Sequence, residues 1–294
     1  MKSAPRFLRL CLLCVLGAIA SRAGTFDCEI KPSAKDNFTK AAFRLWLDDT
    51  DKPARAILIL APGWNGDGRG MAGDHAWQDF ARERQLAIVA LQFQSSDKTT
   101  PYHVVEAGSG QALLKALTQL ATESKHPELA NAPLLMWGHS AGGQFNYGFA
   151  CFRPNRVIAF AAIKGGYYNS KFNPLVRQVP AIFIIGEKDE GYRIDNITKL
   201  FTENRRAGAL WCVATEPGHG HDVGKSNDLI RPFLSAVLAE RLAGSSFAAA
   251  PADTGWFGDI ATRTIKSSAG SPREHSVWFP DKATAQAWKA FVTP

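Results

Sequence analysis

Short, nearly unbroken runs of apolar residues alternate along the chain with longer segments in which apolar residues recur at helical spacing. The runs lie at residues 56–60, 86–93, 133–137, 156–163, 181–185 and 209–215. Such runs are typical of strands buried on both faces, as in a parallel sheet. The helical segments lie at residues 72–85, 105–124, 141–152, 195–205 and 228–242. The alternation predicts an α/β fold, with a mostly parallel central sheet and helices on both of its faces.

Both ends of the chain depart from this alternation. Residues 25–30 and 41–47 predict antiparallel edge strands, and the second of them alternates apolar and polar positions. Residues 245–254 are rich in Ala, Ser and Pro and predict a connector. A short helix is predicted over residues 281–291, with Trp288 and Phe291 on one face. We therefore expect a main domain over residues 24–244 and a C-terminal appendage over residues 245–294, packed on the main domain.

Residues 1–23 have the pattern of a targeting signal. A basic start precedes an apolar stretch over residues 10–20, which is too short to span a bilayer comfortably. Ser21-Arg22-Ala23 has the small-x-small form of a cleavage site. We expect cleavage after Ala23 and a secreted or periplasmic protein, and an uncleaved anchor is the alternative. No later run is apolar enough to predict a membrane helix.

Charge and cysteine content add little to this picture. The net charge of +7 falls to +3 without residues 1–23, which carry four basic residues and no acid. No basic patch with interleaved aromatic residues is visible, so nucleic-acid binding is not expected. Three cysteines lie outside the predicted signal peptide: Cys28, Cys151 and Cys212. They permit at most one disulfide, and their spacing matches no zinc motif. Cys151 and Cys212 are expected to be small core residues, and neither a metal nor a cofactor is expected.

A G-x-S-x-G motif directly follows the apolar run at residues 133–137 and opens a helical segment. It reads Gly138-His139-Ser140-Ala141-Gly142. A serine on a tight turn between a strand and a helix stands clear of the sheet edge, where ligands of open α/β sheets bind. Gly138 and Gly142 permit the close backbone approach of such a turn. Ser140 is therefore predicted to be a nucleophile, and a turn that only caps the helix is the alternative.

The motif and the order of elements resemble the α/β-hydrolase family over residues 55–242. In that family the acid follows the nucleophile along the chain and the histidine comes last. The resemblance implies that Asp189, in the loop after the run at residues 181–185, is the acid. Glu187 and Glu190 in the same loop are held in reserve. An Asp189 that only caps the next helix is the alternative.

Two histidines after the last apolar run compete for the role of base. The segment Pro217-Gly218-His219-Gly220-His221 resembles the family's Pro-Gly-x-Gly-His form. The resemblance implies His221 as the base, with His219 in reserve, and gives His139 a packing role. An imidazole with a pKa near 6.5 can take the serine proton and return it to a leaving group. A carboxylate behind the imidazole fixes its tautomer and stabilises the imidazolium.

The resemblance also implies an oxyanion hole. One donor is the backbone N–H of Ala141, and the second is that of Trp64 in the Pro-Gly-Trp-Asn loop after residues 56–60. A flexible glycine loop is the alternative for this segment. The loop departs from the His-Gly-Gly-Gly of many lipases, so no acyl or alcohol preference is carried over. About seventeen residues separate the runs ending at Ile163 and beginning at Ala181, so no large cap domain is expected.

Within the family the resemblance is to uncapped exported esterases, such as feruloyl and acetyl-xylan esterases and polyhydroxyalkanoate depolymerases, and to dienelactone hydrolases. It implies a serine hydrolase that cleaves carboxylic esters through an acyl-enzyme on a bulky or polymer-linked substrate. The expected partner is a small-molecule or polysaccharide-linked ester. Trp64, Tyr167 and Tyr168 are expected to offer aromatic surface beside Ser140. A serine peptidase of the prolyl-oligopeptidase type and a non-catalytic binding protein of the same fold are the alternatives.

Overall fold

The structure is a computed structural model, and it describes residues 24–48, 52–242, 247, 254–267 and 273–293. The predicted signal peptide, residues 1–23, lies outside the described residues, as does most of the predicted connector at 245–254. Within the described ranges, none of the helices combines the length and apolar character that crossing a membrane requires.

An eight-stranded sheet forms the centre of the molecule. Its strands are β1 (Gly24–Glu29), β2 (Lys40–Leu47), β3 (Ala56–Ala61), β4 (Leu86–Gln94), β5 (Leu134–His139), β6 (Val157–Ile163), β7 (Ala181–Gly186) and β8 (Trp211–Glu216). Their order is β1-β2-β4-β3-β5-β6-β7-β8; β1 and β2 are antiparallel to their neighbours, and the other six strands are parallel. Every residue of β3, β6 and β7 is buried, so both faces of the sheet are covered. The predicted α/β class is confirmed.

Five helices pack against this sheet. They are α1 (His75–Arg84), α2 (Ser109–Ser124), α3 (Ala141–Phe152), α4 (Gly191–Arg206) and α5 (Ser226–Arg241). Helix α1 begins later than predicted because Asp74 caps it, accepting the Trp77 N–H at 3.0 Å. The predicted helix over 105–124 is interrupted at Gly108, whose φ of 136° is not helical. Residues 164–180 join β6 to β7 with one 3-10 turn, Pro174–Gln178, in agreement with the expected lack of a large cap.

The described part of the C-terminal region contains a small sheet that the sequence did not predict. It has the order β10-β9-β11, formed by β9 (Trp256–Asp259), β10 (Ile265–Lys266) and β11 (Ser276–Phe279), and α6 (Lys282–Phe291) follows it. The Trp288 indole N–H donates to Val213 O in β8 at 2.9 Å. Arg205 Nε in α4 donates to Ser276 O at 2.8 Å. These residues therefore pack directly on the last strand and helices of the main sheet.

The three cysteines of the described chain are buried and free. Burial raises the pKa of the Cys28 thiol to about 12 and that of Cys151 to about 11, and it also raises the pKa of Cys212. The thiols are therefore protonated at neutral pH and are poor nucleophiles. They act as small core residues, as expected for Cys151 and Cys212.

Candidate active site

Ser140 occupies a tight turn between β5 and α3. Its φ of 54° and ψ of −121° form a conformation that L-residues rarely adopt and that costs about 1–3 kcal/mol. A side chain at Gly138 would collide with the backbone of Gly142, and one at Gly142 would collide with the carbonyl of Ala61 in β3. Two glycines are thus required for the turn to approach its own helix and the neighbouring strand. The turn holds Ser140 partly exposed at the carboxyl edge of the sheet.

The structure brings Ser140, His221 and Asp189 together from three separate segments. His221 Nε2 lies 2.9 Å from Ser140 Oγ, and His221 Nδ1 lies 3.0 Å from Asp189 Oδ2. The Asp189 side chain is only 2% exposed, whereas the His221 side chain is 33% exposed. The second carboxylate oxygen of Asp189 accepts the Glu190 N–H at 2.8 Å. An imidazole held between a hydroxyl and a buried carboxylate can act as a general base toward that hydroxyl.

The reserve candidates lie elsewhere in the same loops. His219 Nδ1 is 3.0 Å from Asp222 Oδ1, and its Nε2 is 3.8 Å from Glu216 Oε1. Glu187 accepts the backbone N–H of Gly218 at 2.7 Å, and the exposed Glu190 lies 3.9 Å from Arg193. The geometry therefore favours His221 over His219 and Asp189 over both glutamates.

His139 packs beside His221. The centroid of its ring lies 5.1 Å from that of His221. Burial, together with the charges of His221 and Lys164, lowers the pKa of His139 to about 4. His139 is therefore neutral at physiological pH. Its ring packs against that of His221, in agreement with the packing role expected for it.

Hydrogen bonds attach the loop after β3 to the end of β4. Asn65, at a φ of 54°, donates to Ser95 O at 3.0 Å and accepts the Ser95 N–H at 2.9 Å. A Cβ atom placed on Gly63 would lie 3.7 Å from Ser140 Cβ. The loop thus runs alongside the nucleophile. Trp64, whose N–H is the predicted second oxyanion donor, follows Gly63 directly in it.

Ala141, the other predicted oxyanion donor, is the first residue of α3. N–H groups in the first turn of a helix have no acceptor within that helix and lie at the positive end of its dipole. The Ala141 N–H is adjacent to Ser140, where a negative charge would develop during attack on a carbonyl group. Its position is suitable for the predicted role.

The three aromatic candidates divide into two groups. Trp64 is 43% exposed and stacks on Tyr102 with ring centroids 5.4 Å apart. Tyr167 is 50% exposed and stacks on Tyr192, also at 5.4 Å. Both present ring surface to solvent.

Tyr168 does not share this arrangement, and its expected role as substrate-facing surface is corrected. Its ring packs edge-on against Tyr147 at 5.3 Å and against Phe183 at 6.0 Å. Its hydroxyl is buried, and burial raises its pKa. Tyr168 therefore packs against the core, whereas its neighbour Tyr167 is exposed.

Sequence reasoning missed two charged residues that contact this site. Arg193, in the first turn of α4, places Nε 3.4 Å from Asp189 Oδ1. Lys164 directly follows β6 and is fully buried, with Nζ 2.8 Å from Glu216 Oε2. The contact between Arg193 and Asp189 could have been found from the sequence, because an acid and a base four residues apart at the start of a helix commonly pair. In the described ranges no cluster of His, Cys, Asp and Glu has the makings of a metal site.

The fold is that of the α/β-hydrolases. The chain is similar to a solved ferulic acid esterase, with a TM-score of 0.54 and 12% identity over 74% of this chain and 99% of that one. It is similar to poly(aspartic acid) hydrolase-1 from Sphingomonas sp. KT-1, with a TM-score of 0.54 and 15% identity over 72% and 98% of the two chains.

A third similar structure is the fluorophosphonate-binding serine hydrolase F of Staphylococcus aureus. Its TM-score is 0.51, at 13% identity over 74% of this chain and 98% of that one. Neither a protein-family model nor a curated protein matches the chain. At these identities the likeness defines the fold alone, and the chemistry depends on the residues of this chain.

Proposed function

We propose that this protein is an exported serine hydrolase that cleaves carboxylic esters through an acyl-enzyme. The observation that carries the proposal is the continuous chain of contacts from Ser140 Oγ to His221 Nε2 at 2.9 Å and from His221 Nδ1 to Asp189 Oδ2 at 3.0 Å. A serine hydroxyl is a poor nucleophile by itself and needs an adjacent, oriented base. The three groups have the order and the mutual contacts that this chemistry requires.

In the proposed reaction Ser140 Oγ attacks the ester carbonyl carbon while its proton passes to His221 Nε2. The tetrahedral oxyanion is stabilised by the N–H groups of Ala141 and Trp64. Its collapse breaks the bond to the alcohol oxygen, which leaves with the proton from His221. Water then attacks the acyl carbon and gives a proton to His221. A second collapse releases the acid and returns that proton to Ser140 Oγ. Asp189 stays ionised throughout and balances the imidazolium charge.

The short β6–β7 connection and two exposed aromatic rings support a bulky or polymer-linked ester as substrate. The connection from β6 to β7 is too short to form a lid over the site. Exposed rings of Trp64 and Tyr167 are available for stacking on a sugar or phenolic ring. Export is supported by the basic start, apolar stretch and small-x-small site in residues 1–23.

Hydrolysis of p-nitrophenyl esters beside a matched peptide anilide tests the proposal. Esters are expected to turn over much faster than the anilide, and Ser140→Ala is expected to abolish ester turnover with an unchanged circular dichroism spectrum. Anilide cleavage that outpaces ester cleavage would favour the peptidase alternative. Full ester turnover by Ser140→Ala would refute the role of Ser140. Feruloyl, acetyl-sugar, short-acyl and polyester substrates then rank the acyl and alcohol preferences.

A further inference from the structure

A buried ion pair contacts the loop that carries His221. Lys164 Nζ lies 2.8 Å from Glu216 Oε2, and their side chains are 0% and 3% exposed. We propose that Lys164 and Glu216 are positioning residues, which fix the histidine loop, residues 217–225, so that His221 reaches Ser140. The inference rests on the proposed function, because it assigns the pair a role in that reaction.

Glu216 joins the beginning of the loop to its end. It is the last residue of β8, and Oε2 accepts the Ser226 hydroxyl at 3.1 Å in addition to the Lys164 ammonium. Oε1 accepts the backbone N–H of Lys225. Gly224 has a φ of 49°, and a side chain there would collide with the carboxylate. The end of the histidine loop is therefore packed closely around the Glu216 carboxylate.

Lys164 connects the three segments that carry the triad. Its Nζ donates to Asp222 O at 2.5 Å, and Asp222 is the residue after His221. Its backbone N–H donates to Ile184 O at 2.9 Å in β7, the strand that leads to Asp189. The carbonyl of Ile163, the residue before it, accepts the Ser140 N–H at 2.7 Å.

The conformation of Lys164 supports a specific role for its side chain. Its φ is 52°, a left-handed conformation that is costly for a residue with a Cβ. Burial of an ammonium group is also costly unless the charge is paired and its hydrogen bonds are satisfied. Here the ammonium has the Glu216 carboxylate and the Asp222 carbonyl as partners. A costly residue at this point is consistent with a geometric role.

The two halves of the histidine loop are held mainly by different groups, although Glu216 Oε1 also lies 3.8 Å from His219 Nε2 in the first half. The loop that carries Asp189 holds the first half: Glu187 accepts the Gly218 N–H at 2.7 Å, and the Lys188 N–H donates to His219 O at 2.8 Å. The ion pair holds the second half, on the far side of His221. Loss of the pair is expected to leave the first half in place and to shift the imidazole relative to Ser140.

Glu216→Gln tests this role, because the substitution keeps the shape of the side chain and removes its charge. We expect kcat for a p-nitrophenyl ester to fall about 100-fold with KM within about twofold, the result of a small displacement of the base. The low-field proton NMR signal of the His221–Asp189 hydrogen bond is expected to be lost or broadened. Wild-type kcat and an intact signal in the variant would overturn the inference.

Arg205→Met is the matched control. Arg205 is also buried and bonds the backbone of Ser276, but it lies outside the histidine loop. It is expected to lower stability while kcat and the low-field signal stay unchanged. Equal losses of kcat in both variants would reduce the pair to a general stabilising role and contradict the inference.

Ser226→Ala is a milder variant that tests the same role if Glu216→Gln does not fold. It removes a single hydrogen bond to the carboxylate, and kcat is expected to fall by about tenfold through a small displacement of His221. Unchanged kcat and an unchanged low-field signal would count against the inference. If the wild-type protein hydrolyses no ester, the proposed function fails. The low-field signal in the variants still decides whether the pair positions His221.

Discussion

The sheet edge around Ser140 and the C-terminal unit of β9–β11 and α6 are held in place by different forces. At the edge, Ser140 and Lys164 have left-handed φ values of 54° and 52°, and Lys164 is a buried charge. In the C-terminal unit, Trp278 and Trp288 are 0% and 2% exposed. Strained backbone and buried charge cost stability, whereas burial of large apolar rings contributes it. The sheet edge holds the geometry around Ser140 at a cost in folding stability. The packed rings of the C-terminal unit help to offset that cost.

This difference predicts that substitutions at the edge change activity and that substitutions in the C-terminal unit change stability. Variants from each region, assayed for both activity and stability, test this division.

The largest effect is expected from the two histidines of one loop. His221→Ala is expected to lower kcat on the order of 10⁶-fold, because the base that contacts Ser140 Oγ is lost. His219→Ala is expected to cause a far smaller loss, since His219 bonds Asp222 instead. Steady-state ester hydrolysis measures both. A larger loss in His219→Ala would exchange the two roles.

Asp189→Asn is expected to lower kcat about 10⁴-fold, because an amide no longer holds the imidazole in the required tautomer. The expected change in the free energy of unfolding is small by comparison, since Asn has the same shape. Glu190→Gln, at the exposed neighbouring acid, is the matched control and is expected to retain activity. Comparable losses in the two variants would remove Asp189 from the triad.

Trp288→Ala tests the other region. The indole is 2% exposed and donates to Val213 O, so its removal is expected to lower the free energy of unfolding by about 3–5 kcal/mol. The kcat of the folded variant is expected to stay near that of the wild type. Urea denaturation measures the first quantity, and Lys289→Ala at an exposed position of the same helix is the control. A loss of kcat without a loss of stability would contradict the division between the regions.

The smallest effect concerns the pH dependence of stability near the site. Burial lowers the pKa of His103 to about 4, and its ring contacts Trp64. The unfolded chain binds a proton below its ordinary pKa of about 6.5 while the folded chain does not, so stability falls as the pH drops from 6.5 toward 4. His103→Gln is expected to reduce the stability lost between pH 7 and pH 5 by about 2 kcal/mol.

Urea denaturation at the two pH values measures this difference, with the exposed His75→Gln as control. An unchanged pH dependence in His103→Gln would show that His103 does not contribute to it.

The main sheet could be predicted from sequence because strands covered on both faces have few polar positions. β9 to β11 could not, since strands of two to four residues carry no clear period. The predicted start of α1 was too early because the apolar pattern begins at residue 72, whereas the Asp74 cap makes the helix begin at His75. Local sequence patterns therefore predict the long strands and helices but not the short strands.

The contact among Ser140, His221 and Asp189 could be predicted because motif spacing and the order in the family that the sequence resembles place these residues at strand ends. Tyr168 was assigned wrongly because the sequence of a loop without periodicity does not show that its ring packs against Tyr147 and Phe183. Lys164 was missed because a charged residue after an apolar run has the pattern of a solvated strand end. Its partner, Glu216, lies 52 residues further along the chain, and only the parallel order of β6, β7 and β8 brings the two together.

Covalent labelling with a fluorophosphonate, followed by peptide mass mapping, is the most direct test of Ser140 as the nucleophile. One adduct is expected on Ser140 in the folded wild-type protein, with none in Ser140→Ala or after heat denaturation. An unlabelled wild-type protein beside a labelled reference hydrolase, or an adduct on another residue, would contradict it.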